Sequence, residues 1–405
     1  MPFGFFTQTL VVLSLAVAGE MRAAEQEAAF AACISELEEK AVARGIDPEL
    51  AGEVLGEARH QSRVIELDRA QPEFTTTFGD YLNRRVTEQR VQRGRELLER
   101  HRDLLEDIAA EYGVAPQYLV ALWGLETNYG SFFGRVRVID SLTTLACDER
   151  RSEFFTRELM ATLRILEEES ISLDRMEGSW AGAMGHVQFL PSVFREHAVD
   201  YDGDGRRDLW GSLPDAMASA ANFLRAMGWE RGWRWGREVK LPEGFAMEQA
   251  GLDESRPLSD WAELGVRRTD GRPLGDAEID AALLMPSGYR GPAFLVYDNF
   301  HVIMGWNPSQ HYALAVGHLA DRIAGAGGLA QSPPEDLPRL SRDQVIRLQE
   351  KLAEQGHDVG PIDGIPGPQT RRALREYQRE RGLVADGIPD RTLLEMLELL
   401  ELGAG

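Results

Sequence analysis

Residues 121–130 read ALWGLETNYG, in which a single acid, Glu126, interrupts an apolar run. Pro116 lies just upstream and suits the first turn of a helix, and Gly130 suits its end. A helix is therefore predicted between these two residues. Spacings of three and four residues place several apolar side chains on the same face as the acid. These side chains are Leu119, Leu122 and Trp123.

The predicted surroundings of Glu126 are unusual for an acid. Burial among apolar side chains disfavours the carboxylate, and the nearby helix C-terminus disfavours negative charge as well. Both effects raise the pKa of Glu126 toward neutrality, which a general acid working at neutral pH requires. The alternative for an isolated glutamate is a solvated side chain, or one paired with an arginine.

A second motif, GSWAGAMGHVQFLPS at residues 178–192, is rich in glycine and small polar residues. Ser179 and Gln188 carry a hydroxyl and an amide that can bond to hydroxyl and acetamide groups of a ligand. Gly182 and Gly185 would let a ligand approach the backbone closely. A purely structural turn is the alternative.

Four stretches resemble the membrane-bound lytic transglycosylase B family of peptidoglycan-cleaving enzymes. They are ALWGLETNYG, SWAGAMGHVQFLPSVF, the segment from DYDGDGRRDLW through ASAANFLRAMGW, and DNFHVIMGWNPSQHYALAVGHLADRI. Near the C-terminus, LQEKLAEQGHDVGPIDGIPGPQTRRALREYQRERGL and the later DGIPD resemble the peptidoglycan-binding domain type 1. The resemblance implies a mainly α fold: a lysozyme-like helical catalytic domain with minor β structure, and a small three-helix peptidoglycan-binding domain.

The resemblance also implies a reaction. Glu126 alone would protonate the oxygen of the MurNAc-β-1,4-GlcNAc bond, then take the proton from the C6 hydroxyl of the same MurNAc, leaving a 1,6-anhydroMurNAc end. Ordinary glycosidases use two carboxylates, whereas here the substrate supplies the nucleophile at high effective concentration. No cofactor is required. The alternatives are a hydrolytic muramidase on the same fold and a non-catalytic peptidoglycan-binding scaffold protein.

Seven positions match sugar-binding positions of the family. Where the family usually has Asn-Tyr and Tyr-Asn pairs, this chain has phenylalanine and tryptophan in place of the tyrosines. These rings keep a face for stacking on sugars but lose the hydroxyl, so no tyrosine hydroxyl can act at these two positions. The seven residues are Ser179, Gln188, Asn222, Phe223, Trp306, Asn307 and Tyr312.

The segment DYDGDGRRD at residues 200–208 resembles the opening of an EF-hand calcium loop. Acids stand at positions 1, 3, 5 and 9 and glycine at 6, but Gly211 replaces the glutamate of position 12. Some family members bind calcium here and close the shell with a later aspartate. An Asp/Gly turn without an ion is the alternative. The candidate ligands of a structural calcium are Asp200, Asp202, Asp204, Asp208 and Asp215.

Charge and the N-terminal segment restrict where the protein works. The 405 residues carry a net charge of −22, which argues against nucleic acid and anionic membranes as partners. An apolar run from Leu10 ends in Ala16-Val17-Ala18, typical of a cleaved export signal and short for a membrane span. We therefore expect a periplasmic protein without an integral membrane span after signal removal; a retained N-terminal anchor is the alternative. Its expected partners are peptidoglycan strands and a cell-wall enzyme complex.

Composition along the chain predicts the order of the segments. We expect a signal peptide at 1–24, a catalytic domain at 25–325, a Gly/Pro/Ser linker at 326–338 and the binding domain at 339–402. Asp363-Gly364 and Asp386-Gly387 indicate a short internal repeat in that last domain. Cys33 and Cys147 allow one disulfide in an exported chain, or two buried thiols.

Local patterns predict the secondary structure. Asp47-Pro48 should open a helix. Long amphipathic runs predict helices at 81–110, 151–169, 214–227 and 307–323, and short strands are expected near 238–241 and 294–296.

Overall fold

The computed structural model describes residues 6–70, 76–169 and 171–399. The predicted signal segment falls largely outside this description: residues 1–5 are not described, and only the backbone of residues 6–23 is. In the described part of the chain, no helix is both long enough and apolar enough to cross a membrane.

Helices dominate the described residues, with one sheet of five strands and one of two. The helices are α1 (Phe6–Ala43), α2 (Pro48–Gly56), α3 (Ser62–Ala70), α4 (Phe78–Arg85), α5 (Glu88–Arg100), α6 (Arg102–Tyr112), α7 (Pro116–Thr127), α8 (Val138–Ala146), α9 (Ser152–Glu168), α10 (Pro191–His197), α11 (Leu213–Ala226), α12 (Leu258–Glu263), α13 (Asp298–Trp306), α14 (Gln310–Ile323), α15 (Arg342–Glu354), α16 (Pro368–Glu380) and α17 (Arg391–Met396). The strands are β1 (Val136–Arg137), β2 (Glu177–Gly178), β3 (Gly236–Lys240), β4 (Gly251–Pro257), β5 (Arg267–Arg268), β6 (Asp280–Leu284) and β7 (Ala293–Val296).

One compact unit contains residues 1–70 and 130–220. Here α9 packs against α8 and α10, and α2 begins as predicted, because the Asp47 side chain accepts hydrogen bonds from the N–H groups of Glu49 and Leu50. A disulfide joins Cys33 of α1 to Cys147, the residue that caps α8, with the two Cα atoms 6.0 Å apart. The pairing that the sequence left open is therefore present.

The second compact unit contains residues 71–129 and 221–405, with α7 at its centre against α5, α6 and α14. Every residue of α7 from Tyr118 to Leu125 is buried, so the apolar environment predicted for the face of Glu126 extends around this part of the helix. The helix also ends earlier than predicted, at Thr127. Asn128 (φ 49°) and Tyr129 (φ 62°) leave the right-handed helical region before Gly130 is reached.

The single helix predicted for residues 81–110 is also wrong, because the chain forms α4, α5 and α6 there. The Thr87 side chain accepts a hydrogen bond from the Arg90 N–H and starts α5 afresh. His101 separates α5 from α6. Neither break contains glycine or proline. The amphipathic pattern therefore continues through both, and the sequence gives no signal that a helix ends there.

A five-stranded antiparallel sheet follows, in the order β4-β6-β7-β3-β5. Its buried core includes Trp261, Leu283 and Leu295. The strands expected near 238–241 and 294–296 are confirmed as β3 and β7. Strands β4 and β6 were not predicted.

The C-terminal helices α15–α17 pack around a shared core that includes Leu348, Leu374 and Leu393. Two buried glutamines show the predicted internal repeat in atomic detail. The side-chain amide of Gln349 accepts the Gly364 N–H and donates to the Ile365 carbonyl. Gln378 repeats both bonds with Gly387 and Ile388.

The segment predicted as a linker has neither helix nor strand, yet side chains of its own compact unit hold it in place. The Glu238 carboxylate accepts the N–H groups of Ala330 and Gln331 at 2.7 and 2.8 Å. Immediately after the segment, Arg339 donates two hydrogen bonds of 2.7 Å to Asp80. The segment is therefore held near its middle and directly after its end.

Candidate active site

Glu126 lies in the last turn of α7, partly buried. Its Oε1 accepts a hydrogen bond from the Trp306 indole Nε1 at 3.1 Å and another from the Tyr312 hydroxyl. Trp306 is the last residue of α13 and Tyr312 lies in the first turn of α14. The junction of these two helices thus brings both donors to one carboxylate oxygen.

Tyr312 is a neutral donor to this carboxylate. Its side chain is only 3% exposed. Burial is the main cause that raises its pKa well above the ordinary value, and the adjacent Glu126 charge adds to the effect. The phenol therefore stays protonated and can donate throughout the physiological pH range.

Trp306 has a contact that the sequence analysis did not anticipate. Compared with tyrosine, tryptophan was expected to lose the hydroxyl and keep a ring face. The structure shows that the indole also offers an N–H donor, which binds Glu126 directly. The residue type alone could have indicated this contact, because the tryptophan side chain carries one N–H donor and no acceptor.

The other aromatic and amide candidates of this unit differ in their roles. The ring of Phe223 lies 5.3 Å from that of Trp306, between ring centroids. Asn222 accepts a hydrogen bond from Arg225, and the Asn307 side chain accepts the N–H of Ser309 at the start of α14. Phe223 therefore packs beside Trp306, one of the donors to Glu126, and each of the two amides makes a hydrogen bond with a residue close to it in sequence.

Gly124, two residues before Glu126, has a packing role that the motif alone does not show. A Cβ on Gly124 would lie 2.7 Å from ring atoms of Tyr129. The Tyr129 hydroxyl donates to the Arg90 carbonyl at 2.6 Å. The spacing from Gly124 to Tyr129 thus lets the chain fold back tightly against α7 directly after the acid.

Ser179 and Gln188 lie in the other compact unit, where their side chains organise their own loop. The Ser179 hydroxyl accepts the N–H groups of Ala181 and Ala183. The Gln188 amide nitrogen donates to the carbonyls of Phe133 and Gly185 at 3.1 and 3.0 Å. The Gln188 carbonyl oxygen remains an acceptor suited to a sugar N–H or O–H. Sugar binding by both residues stays a prediction.

Packing within the protein requires glycine at positions 182 and 185 of the loop. A Cβ on Gly182 would lie 2.6 Å from the Leu142 side chain, and one on Gly185 would lie 2.5 Å from the Leu209 carbonyl oxygen. Both residues also have positive φ, 80° and 65°. Close packing within the protein accounts for them without a ligand.

The structural role of Glu158 was not predicted from the sequence. Glu158 is only 4% exposed, and its two carboxylate oxygens accept the N–H and hydroxyl of Ser192 at 3.0 and 2.9 Å. These bonds fix the start of α10, directly after the Gln188 loop. A glutamate within an ordinary amphipathic helix gives no sequence signal of this role.

The aspartate-rich loop brings together three of its five candidate ligands. Carboxylate oxygens of Asp200, Asp202 and Asp204 lie within 4.8 Å of one another, which suits an ion that prefers oxygen ligands. Asp215, in contrast, accepts the backbone N–H groups of residues 201, 202 and 208. Asp208 accepts the N–H groups of residues 210 and 211. These last two acids therefore hold the loop itself.

Comparison with known proteins gives the family. The family model described as "Transglycosylase SLT domain" matches residues 29–321, and one described as "Putative peptidoglycan binding domain" matches residues 341–397. Membrane-bound lytic murein transglycosylase B of Escherichia coli (strain K12) is 32% identical over 295 residues, which span 69% of this chain and 79% of that protein.

Solved structures agree. SltB3 from Pseudomonas aeruginosa, in complex with NAG-anhNAM-pentapeptide, superposes with a TM-score of 0.88 at 44% identity, over 91% of this chain and 99% of that one. The Escherichia coli lytic transglycosylase Slt35, in complex with calcium, gives 0.61 at 31% identity, over 72% of this chain and 92% of that one. The lysozyme-like, mainly helical fold with a small C-terminal helical domain is thereby confirmed. The chain belongs to the transglycosylase SLT domain family, whose members are enzymes acting on peptidoglycan.

Proposed function

We propose that this enzyme cleaves the MurNAc-β-1,4-GlcNAc bond of peptidoglycan without water and that Glu126 is its acid and base. Glu126 gives its proton to the glycosidic oxygen as the bond to C1 breaks. It then takes the proton of the C6 hydroxyl as the C6 oxygen bonds to C1, which closes a 1,6-anhydroMurNAc ring. Glu126 ends protonated, as it began, so a single carboxylate completes the cycle.

The contacts of Glu126 carry the proposal. Two neutral donors, Trp306 and Tyr312, bind one carboxylate oxygen and stabilise the negative charge left after the first proton transfer. The relative SltB3 was solved with an anhNAM-containing ligand, the type of sugar end that this reaction would form.

The test is product analysis. Purified sacculi are digested with the full chain, and the released fragments are identified by mass spectrometry. Anhydro ends are expected. Reducing ends would instead identify a hydrolytic muramidase, and no release would identify a binding scaffold. Glu126→Gln should lower the rate by about two to four orders of magnitude without lowering the melting temperature. Retained activity in that variant would refute the assignment.

We also infer that the protein works in the periplasm, with the domain at residues 341–397 binding peptidoglycan strands. The family match of that segment and the apolar N-terminal run with its small-residue site support this inference. The Cys33–Cys147 bridge supports an oxidising compartment. Fractionation of cells by osmotic shock tests the location, and pull-down of sacculi by residues 339–402 fused to a fluorescent protein tests the binding. A cell-wall enzyme complex remains a further expectation.

A structural calcium is proposed for the loop at Asp200, Asp202 and Asp204, in keeping with the grouping of their carboxylates. An ion that binds only the folded protein stabilises it by an amount that grows with the logarithm of its concentration relative to Kd, and so raises the melting temperature. We expect Ca²⁺ to raise the melting temperature of the wild type and to leave that of Asp204→Asn unchanged. An equal response of both proteins would argue against the site. Cleavage itself should not need the ion.

A further inference from the structure

The second compact unit contains a cavity between the helical region around α4 and α14 and the C-terminal domain. Its volume is about 110 Å³, enough for a few water molecules and below the several hundred Å³ typical of larger ligands. Most of the lining is apolar or proline, including Phe78, Leu340 and Leu374. Two basic side chains, His311 and Arg371, complete it.

Arg371 is a partly buried cation without a matching anion. Its Nε donates to the Pro366 carbonyl at 3.4 Å, and it forms no ion pair with any residue in the described part of the chain. Burial is the main cause that lowers its pKa, and the neighbouring Arg375 adds to it. A partly desolvated charge without an anionic partner is unfavourable, so an anion entering the cavity would offset part of that cost.

The acid that acts most directly on Arg371 is already occupied. Asp386 contributes an attractive charge, but its Oδ1 accepts the Ile388 N–H and the Gln378 amide, and its Oδ2 accepts the Tyr289 N–H. Among the residues that line the cavity, none is acidic. In a chain with a net charge of −22, a cavity lined by two basic groups and no acid stands out.

His311 offers a neutral donor on the other wall. Its ring packs at 5.6 Å from Phe78 and 5.8 Å from Tyr81, between centroids. Burial, with a smaller contribution from Arg371, lowers its pKa to about 4, so the imidazole is uncharged at neutral pH and presents one N–H. The next residue of α14 is Tyr312, the donor to Glu126.

We propose that this cavity is a binding site for a small carboxylate group, held by the Arg371 guanidinium and the His311 imidazole. The pairing of a planar guanidinium with a carboxylate is the strongest hydrogen-bonded ion pair in proteins. Two sources share this chemistry: the C-terminal carboxylate of a peptidoglycan stem peptide and a free small carboxylate. The first source rests on the proposed function, whereas the site itself does not.

The test is calorimetric titration of the full chain with three probes: acetate, a sugar-free stem pentapeptide with a free C-terminal carboxylate, and the same peptide amidated at its C-terminus. Acetate, the acid peptide or both should bind, and the amide should bind at least about tenfold more weakly than the acid peptide wherever the latter binds. Binding of acetate without the peptide indicates a free small carboxylate. Binding of acetate together with the acid peptide indicates a general carboxylate site. Binding of the acid peptide alone indicates the stem peptide.

Arg371→Gln should weaken binding about tenfold or more, and Arg371→Lys should retain part of it. Arg372→Gln is the matched control, because Arg372 is the exposed neighbour on the same helix and should bind as the wild type does. Equal binding of acid and amide peptides would overturn the proposal, as would no binding by the wild type or unchanged binding by Arg371→Gln. These outcomes are independent of glycan cleavage, which is measured separately on sacculi.

Discussion

The donor from Trp306 to Glu126 shows how one atom decides what an aromatic residue contributes. The indole N–H lies 3.1 Å from the carboxylate, and hydrogen bonds to charged groups contribute about 1.5–3 kcal/mol. Phe223, with a ring centroid 5.3 Å from that of Trp306, has no such atom. Trp306 therefore contributes a donor as well as a ring face, whereas Phe223 contributes a ring alone.

Trp306→Phe removes this donor and keeps a ring. We expect kcat to fall roughly tenfold to a hundredfold with little change in the melting temperature. Trp306→Tyr restores a donor and should recover part of the rate. Steady-state kinetics on a soluble glycan-strand fragment measure both. If Trp306→Phe is as active as the wild type, the indole N–H has no part in the reaction.

The burial of His318 makes the free energy of unfolding depend on pH. His318 is 8% exposed, and burial, with a lesser contribution from Arg322, lowers its pKa to about 4. The unfolded chain, with a histidine pKa near 6.5, binds the proton first as pH falls. The stability that neutral His318 provides is therefore present above about pH 6.5 and is lost as pH falls toward 4, by roughly 3 kcal/mol.

His318→Leu tests this link. Chemical denaturation of both proteins from pH 7.5 to pH 4 should show a smaller loss in the variant. The difference in unfolding free energy between the two proteins should change by roughly 3 kcal/mol over that range. Parallel pH curves would show that His318 does not titrate on unfolding.

At the scale of elements, the packing of α7 depends on the absence of a side chain at Gly124. Gly124→Ala would place a Cβ 2.7 Å from the Tyr129 ring, and such overpacking costs about 1–3 kcal/mol. Gly52 in α2 has nothing within 4 Å of its Cβ position, so Gly52→Ala should stabilise by about 0.5–1 kcal/mol. Urea denaturation of both variants checks the opposite signs. Destabilisation of equal size would point to a general effect of alanine instead.

Elements with local signals were predictable from the sequence, and elements that depend on distant partners were not. Asp47-Pro48 and Pro116 mark real helix starts because a cap or a proline acts on adjacent residues. The break at Thr87 was invisible, since its cap is one threonine within a charged run. Strands β4 and β6 pair across more than twenty residues, and neither shows alternating burial.

The candidate site shows the same difference between residues with a local sequence signal and residues that depend on distant partners. Glu126 could be found because an acid in an apolar run is rare and the surrounding motif is long. The donors that hold it come from α13 and α14, some 180 residues later. Their geometry depends on tertiary packing that no local pattern records. Glu158 and Arg371 were missed for the same reason.

At the scale of the whole molecule, the Cys33–Cys147 bridge closes a loop of 114 residues. Such a link restricts the unfolded chain and typically contributes about 2–4 kcal/mol. We expect the Cys33→Ser/Cys147→Ser protein to lose that much unfolding free energy and to keep its activity at 25 °C. Dithiothreitol should destabilise the wild type and leave the double variant unaffected. A wild type that is indifferent to reductant would contradict this role.

The pinned segment before the C-terminal domain has a consequence for the lengths of the products. Glu238 holds the segment near its middle and Asp80 holds Arg339 directly after it, so the domain is tethered more closely than by a free coil of that length. A wall-binding module on a loose tether lets its enzyme cut anywhere within a broad radius. If the C-terminal domain binds the strand as proposed, holding it in one place would make the enzyme cut each strand at a set distance from the bound segment, and the products would have a narrow length distribution.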